Sequence, residues 1–204
     1  MSTNEPHDHL VWRETNRKTI LDASIFQVHL ATRRSRDGRE TAYTLVDSPD
    51  WCNVIAPYTR EDGVECFVMA RQFRQGSGTV TLEFPGGLVD EGEEIERAAL
   101  RELEEETGFT ADRVVLIGKV NPNPAFMTNA ACTYAAEGVR PASAQRLDEN
   151  ELVDVVLVPR DEIIRRVPSD FHIHAIMLSA LYWFTLYEAD GMDYATRLSL
   201  QGSA

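Results

Sequence analysis

Glu102 and Glu106 lie four residues apart in the stretch "GLVDEGEEIERAALRELEEETGF", which runs from Gly87 to Phe109. These 23 residues hold nine acidic side chains against two arginines, net −7, in a 204-residue chain whose total is −13. Placed on a helix over 94–107 at about 100° per residue, Ile95, Ala98, Ala99 and Leu103 form one apolar stripe that should face a core. Glu102 and Glu106 fall inside that stripe and Glu105 on its edge, whereas Glu96, Arg97, Leu100 and Glu104 fall outside it, toward solvent. A solvated face accounts for Glu94, Glu96 and Glu104. It does not account for two like charges one turn apart on the buried side, which repel each other and are costly to desolvate. A divalent cation resolves both difficulties, and hard carboxylate oxygens suit Mg²⁺ or Mn²⁺.

The spacing is also that of a known signature. Gly87, five residues, Glu93, seven residues, then Arg101-Glu102-Leu103-Glu104-Glu105-Glu106-Thr107-Gly108-Phe109 resembles the Nudix hydrolase box at every defining position. Chance would produce such a match on the order of once in 10⁹ start points. The resemblance implies metal binding by Glu102, Glu105 and Glu106 with the Gly86 carbonyl, and a loop-fixing ion pair between Glu93 and Arg101. It also implies hydrolysis of a nucleoside diphosphate linked to another moiety, Glu106 being catalytic through its metal.

Stretches outside the box resemble the subgroup that cleaves ADP-ribose and related nucleotide sugars. "ARQFR" is similar to a motif whose last arginine, here Arg74, contacts substrate phosphates, with Arg71 the weaker choice; a surface arginine at a strand end is the plain alternative. Glu83, in "LEFPGGLVDEGE", is a possible addition to the acidic site. Pro124 lies 15 residues after Phe109, as in ADP-ribose pyrophosphatases. The loop "NPNPAFMTN" departs from their Pro-Gly-rich form, which leaves the distal sugar open; it could equally be a plain connector. "LDENELVDVVLVP" is similar to an acidic loop carrying the general base that activates water. Glu149 and Glu151 are the catalytic candidates, Glu149 the first choice, unless Asp148 or Asn150 merely closes a turn. The N-terminal segment resembles an appendage used for dimerisation, and implies a homodimer. Tyr43 is its candidate base-stacking aromatic, ahead of Phe26 and Trp12, although core packing is the commoner fate of such residues. Leu88 and Phe126 complete the substrate-binding set.

The rest of the chain must position these groups. Residues 10–46 read as strands with Asp37-Gly38 as a hairpin turn, and Ser48-Pro49 as a seam. "WCNVIAPYTR" and "VECFVMARQF" flank a turn at Glu61-Asp62-Gly63, "TVTLEFP" is a strand, and Gly108 ends the acidic helix. "RVVLIGKV", "ACTYAAEGV" and "LVDVVLVP" read as strands, 161–167 as a short helix, and 171–189 as a longer buried one. His172 and His174 fall on different faces there, so capping or surface roles suit them better than a metal pair. Trp183, Phe184 and Tyr187 read as core or dimer contacts. The expected class is α+β: an α/β/α sandwich of the Nudix type with a mixed sheet and an N-terminal β appendage. Its divisions are 1–48, a tail and β segment; 49–190, the hydrolase domain; and 191–204, a weakly structured tail.

Composition limits the alternatives. With 43% hydrophobic and 26% charged residues the chain suits one globular domain. The run 175–187 is too short to span a bilayer, and the polar N-terminus lacks a signal core, so a cytoplasmic protein with no membrane partner is expected. Cys52, Cys66 and Cys132 form no C-x-x-C pair and suit reduced thiols. The net charge of −13 disfavours nucleic acid. The expected reaction is Mg²⁺- or Mn²⁺-dependent cleavage of ADP-ribose to AMP and ribose 5-phosphate. Rivals are another nucleotide sugar such as GDP-mannose, a dinucleoside polyphosphate, or a noncatalytic ADP-ribose sensor. Sensors often lose box carboxylates, and this chain keeps all of them.

Overall fold

A computed structural model of the chain describes residues 7–167, 169 and 174–201; His172 and the expected start of the last long helix lie outside these. Contacts divide the chain into two units, one formed by the segment ending at Pro49 together with Asn123–Asn129, the other by Asp50–Pro122 and the segment from Ala130 onward.

In the first unit, β1 (Trp12–Asp22), β2 (Gln27–Ser35) and β3 (Glu40–Asp47) form an antiparallel sheet in that order. Gly38, at φ +86°, supplies the left-handed residue of the β2–β3 turn. Ala31, His29 and Leu45 are buried. The loop segment 123–129, expected within the hydrolase domain, belongs to this unit because Met127 bridges Val46 of β3 in parallel.

The second unit is built on a mixed sheet in which β11 (Val153–Pro159), β5 (Glu65–Arg74), β4 (Trp51–Thr59), β9 (Ala131–Glu137) and β8 (Arg113–Val120) are neighbours in that order. β6 (Thr79–Glu83) pairs with the far end of β5, and β4 pairs with β9 in parallel. Alternation along the central strands sends successive side chains to opposite faces. Val54, Ala56 and Val68 pack with Ala98, Ala99 and Leu103 of α1 (Ile95–Thr107). Ile55, Phe67 and Met69 pack on the other face with Met177, Ala180, Leu181 and Phe184 of α3 (Ala175–Asp190). This is the expected helix–sheet–helix sandwich. A 3₁₀ turn (Arg160–Glu162) leads into α2 (Ile163–Arg166), and short strands β7 (Phe109–Thr110) and β10 (Arg140–Pro141) pair beside α1.

Three details differ from the sequence reading. The tail beyond 191 is not weakly structured: it carries α4 (Tyr194–Gln201), held where the Tyr194 ring meets Trp183 edge-on at 5.8 Å. Leu100 is half-buried against the α1-side core rather than solvated. α3 is buried on one face only, with Leu178 and Tyr182 exposed. Trp183, Phe184 and Tyr187 are core-packing residues as anticipated, and Tyr187 donates to Glu137 at 2.8 Å. All three cysteines are buried free thiols, and burial pushes Cys52 up to about 12.

β8 is irregular between Leu116 and Gly118, and a Cβ at Gly118 would stand 2.2 Å from the Trp183 ring. Gly118→Ala should therefore lower unfolding stability by about 1–3 kcal/mol. Gly76→Ala, where a Cβ meets open space, should leave it unchanged. Urea denaturation of both variants checks this, equal stability of the two being the contrary result.

Candidate metal and phosphate site

The apolar stripe of α1 sets the site. Ala98, Ala99 and Leu103 are wholly buried against the sheet, and the same face carries Glu106, itself only 5% exposed. One turn earlier Glu102 is largely covered. Gly86 N donates to Glu106 Oε2 at 2.9 Å, and Gln72 Nε2 approaches its Oε1 at 3.5 Å. Burial pushes the Glu106 carboxyl up to about 8; the Gly86 N–H opposes this, while the charges of Glu102 and Glu151 add to it. Glu102 is raised as well, by burial first, with Arg101 working against the shift.

Two glycines let the backbone come this close. Pro85 O accepts from Val54 N at 2.9 Å and Gly87 O from Cys52 N at 3.0 Å, so this segment runs along β4. A Cβ on Gly86 would lie 2.2 Å from Cys52 O, and one on Gly87 would lie 2.6 Å from Glu102 Oε1. Backbone blocks a side chain at Gly86, whereas at Gly87 the Glu102 carboxylate would have to move.

Arg101 joins the acidic groups. Its Nε and Nη2 donate to Glu93 at 3.1 and 2.9 Å, the loop-fixing pair anticipated from sequence. Nη2 also reaches Leu88 O at 3.2 Å, and Nη1 reaches Glu102 at 2.8 Å and Glu105 at 3.1 Å. One guanidinium thus serves three carboxylates. Among the described residues no three acidic, histidine or cysteine side chains converge as a ready-made metal cage. The donor chemistry nevertheless fits a hard divalent cation. Glu102, Glu105 and Glu106 offer carboxylate oxygens, and burial raises two of them in the absence of such a charge.

Glu83 has a different role from the acidic cluster. It is 1% exposed on β6 and takes Arg74 Nε at 2.8 Å, the Thr81 hydroxyl, and His174 Nε2 at 3.5 Å. Burial alone would raise it, but the bonds from Arg74, His174 and Thr81 prevail and hold it at about 2. Arg74 keeps part of its side chain open to solvent. Gln72 and Arg74 share one face of β5, and alternation turns Arg71 to the other, so Arg71 does not join the site. His174, expected to cap or face solvent, occupies the N-cap position of α3 without a side-chain capping bond, and its Nε2 lies 3.5 Å from Glu83.

The loop bearing the candidate bases is tied to α1. Gln145 Nε2 donates to Glu106 O at 2.6 Å and to Val153 O at 3.0 Å, and Arg146 N donates to Glu105 O at 2.9 Å. Asp148 and Glu151 close the turn anticipated as an alternative, through Glu151 N to Asp148 O at 3.0 Å. The Glu151 charge acts on Glu102, Glu106 and Arg74, and its carboxylate accepts from Asp148 N at 3.1 Å. Gln72 and Gln145 escaped the sequence reading because neutral amides carry no motif signal.

Leu88 bridges Trp51 and is 36% exposed. Tyr43 and Phe126 belong to the N-terminal unit, where both are partly exposed. Trp12 meets Tyr43 edge-on at 5.9 Å, while Phe26 is half-buried in the β1–β2 turn.

The depressed Glu83 carboxyl carries a stability consequence with a definite sign. Its contribution is complete above the ordinary carboxylate pKa near 4.5 and is lost as pH falls toward about 2. Between those values wild-type stability should fall more steeply than that of Glu83→Gln. Denaturation midpoints across that window measure it, and parallel slopes would contradict the assignment.

With that geometry in view, the chain can be compared with known proteins. The model of the NUDIX domain matches residues 52–181. An ADP-ribose pyrophosphatase of Bacillus subtilis (strain 168) is 29% identical over 174 residues, covering 85% of this chain and 92% of that protein. An ADP-sugar pyrophosphatase of Mus musculus is 29% identical over 180 residues, covering 81% and 80%. The crystal structure of an ADP compounds hydrolase superposes with TM-score 0.73 at 23% identity, covering 88% of this chain and 96% of that one, a likeness of fold. The matched span includes the strands of the mixed sheet, the acidic helix and the loop that closes on it, and so this chain belongs to the Nudix hydrolase family.

Proposed function

We propose that this protein hydrolyses the pyrophosphate bond of a nucleoside diphosphate sugar, with ADP-ribose the leading substrate and AMP and ribose 5-phosphate the products. The observation that carries the reading is the buried pair Glu102 and Glu106 beside the Gly86 backbone, in a chain similar over four-fifths of its length to ADP-ribose and ADP-sugar pyrophosphatases. Nudix hydrolases generally need a divalent metal, and here Mg²⁺ or Mn²⁺ would be held by Glu102, Glu105, Glu106 and the Gly86 carbonyl. When bound, the metal supplies Lewis-acid polarisation and neutralises pyrophosphate charge.

The chain's own groups do the rest. Arg74, oriented by Glu83, offers its open edge to a phosphate oxygen. Glu93 and Arg101 hold the box loop so that Gly86 and Gly87 stay against β4 and α1. Of the two candidate bases we assign Glu151, because its charge reaches Glu102, Glu106 and Arg74, and it would accept the proton of the attacking water. Tyr43, Leu88 and Phe126 are assigned to the nucleoside and sugar. A homodimer through the N-terminal sheet is supported by Val11, Ile20, Leu21, Ile25 and Leu30, all exposed on a unit too small to bury a large core alone. A cytoplasmic location accords with the buried free thiols.

Product release from ADP-ribose, ADP-glucose, GDP-mannose, NADH and diadenosine polyphosphates, with Mg²⁺ and with Mn²⁺, tests the reading. Metal-dependent AMP release from ADP-ribose should exceed that from the others. Tight binding without turnover of any would favour a sensor instead. Glu106→Gln should lower turnover at least about a hundredfold with the circular dichroism spectrum intact. Near-normal activity at saturating Mg²⁺ would remove Glu106 from the metal set. Glu151→Gln should cost kcat about a hundredfold, and a larger loss in Glu149→Gln would reverse the assignment of the base.

A further inference from the structure

His174 occupies the N-cap position of α3, yet its side chain makes no capping bond. Serine, threonine, aspartate and asparagine are the usual residues there, because a short side-chain oxygen can take an orphan backbone N–H. The imidazole is used elsewhere: its Nε2 lies 3.5 Å from Glu83 Oε2. Three residues on, Met177 Sδ accepts from Phe84 N at 3.1 Å, and Met177 is itself buried in the core. The first turn of α3 is thus tied to Glu83 and Phe84, where β6 ends.

These contacts bracket the Glu83 carboxylate. Oε1 accepts from Arg74 Nε at 2.8 Å and from the Thr81 hydroxyl, and Oε2 accepts from Arg74 Nη2. Arg74 comes from β5 and Thr81 from β6 itself, whereas His174 reaches Oε2 from α3. An imidazole with its proton on Nε2, as one neutral tautomer and the imidazolium both have, offers a donor to that oxygen. Such bracketing matters because Arg74 stands among other anions. The charges of Glu106 and Glu151 also act on it, and part of its side chain is open to solvent. A carboxylate fixed at both oxygens holds the guanidinium in one place, and a carboxylate free to rotate does not.

We propose that His174 is a positioning residue for phosphate binding: by steadying Glu83 it fixes the guanidinium of Arg74, so that the start of α3 adds to substrate affinity without touching substrate. The inference rests on the assignment of Arg74 to a phosphate oxygen under Proposed function. It also accounts for a histidine at a helix start where a capping residue would be the ordinary choice.

The test is a double-mutant cycle on ADP-ribose hydrolysis at saturating Mg²⁺, built from His174→Ala and Arg74→Ala. His174→Ala should raise KM about fivefold, the worth of one hydrogen bond, and leave kcat within about twofold. In the Arg74→Ala background the same substitution should leave KM within about twofold, because no guanidinium remains to be positioned. His174→Gln, whose amide nitrogen reaches about as far as the imidazole Nε2, should keep KM near that of the wild type. His174→Asn, whose amide stops short, should behave as His174→Ala does, and it replaces that variant in the cycle if circular dichroism shows the alanine protein unfolded. Equal KM effects in the two backgrounds would overturn the positioning role, since independent sites add. So would a fall in kcat with KM unchanged, or a raised KM in His174→Gln equal to that of His174→Ala, as a merely structural role predicts. An unaltered KM in Arg74→Ala would be a different failure, seen without any His174 variant: it would remove Arg74 from the phosphate and the role of His174 with it. A wild-type protein inactive on ADP-sugars would overturn the functional reading first, and this inference as a consequence.

Discussion

Everything at this site depends on two carboxylates being carried into the core-facing stripe of one helix. α1 packs on the sheet through Ala98, Ala99 and Leu103, and the 3.6-residue period that buries them buries Glu106 and covers Glu102. Desolvation then raises both carboxyls, a cost that a helix in an ordinary hydrophobic protein would avoid by placing alanine or leucine there. The surrounding structure answers that cost only in part. Gly86 lends one backbone N–H, Gln72 approaches, and Arg101 is shared among Glu93, Glu102 and Glu105. The charge left over is what makes the site ready for a cation.

Several parts of the fold exist to let this happen. The Gly86–Gly87 pair lies close against its neighbours: a Cβ on Gly86 would meet Cys52 O, and one on Gly87 the Glu102 carboxyl. Gln145 fastens the loop from β10 to β11 onto the last carbonyls of α1, which brings Glu151 into electrostatic reach of the pair. Arg74 and Glu83 form a separate unit in which burial and charge compensate each other, so that the Glu83 carboxyl is held low while burial raises that of Glu106 on α1. Two buried glutamates thus shift in opposite directions because of the hydrogen-bond donors and the charges around each.

Much of this was legible in the chain itself. The register of α1 follows from the positions of Ile95, Ala98, Ala99 and Leu103, and its end from Gly108, which takes φ +73° and caps the helix through Glu104 O. The turns at Gly38 and Gly63 and the two-sided sandwich follow from glycine placement and from alternation in "WCNVIAPYTR" and "VECFVMARQF". What was not legible depends on long-range pairing. The union of 123–129 with β3 is made by backbone groups of Val46, Phe126 and Thr128, which have no sequence signature. The turn closed by Glu151 N on Asp148 O is a backbone contact, and α4 is short, with its packing concentrated where Tyr194 meets Trp183. β1 is exposed along nearly its whole length, so its strand character shows in residue type rather than in alternation.

The most direct test is titration of the protein with Mn²⁺, followed by the electron paramagnetic resonance of free and bound ion, in wild type and in a Glu102→Gln, Glu106→Gln double variant. The account predicts saturable Mn²⁺ binding by the wild type, displaced by Mg²⁺, and its loss in a variant whose circular dichroism spectrum is unchanged. Equal binding by the two proteins would contradict it, because the buried carboxylates of α1 would then not be what holds the metal.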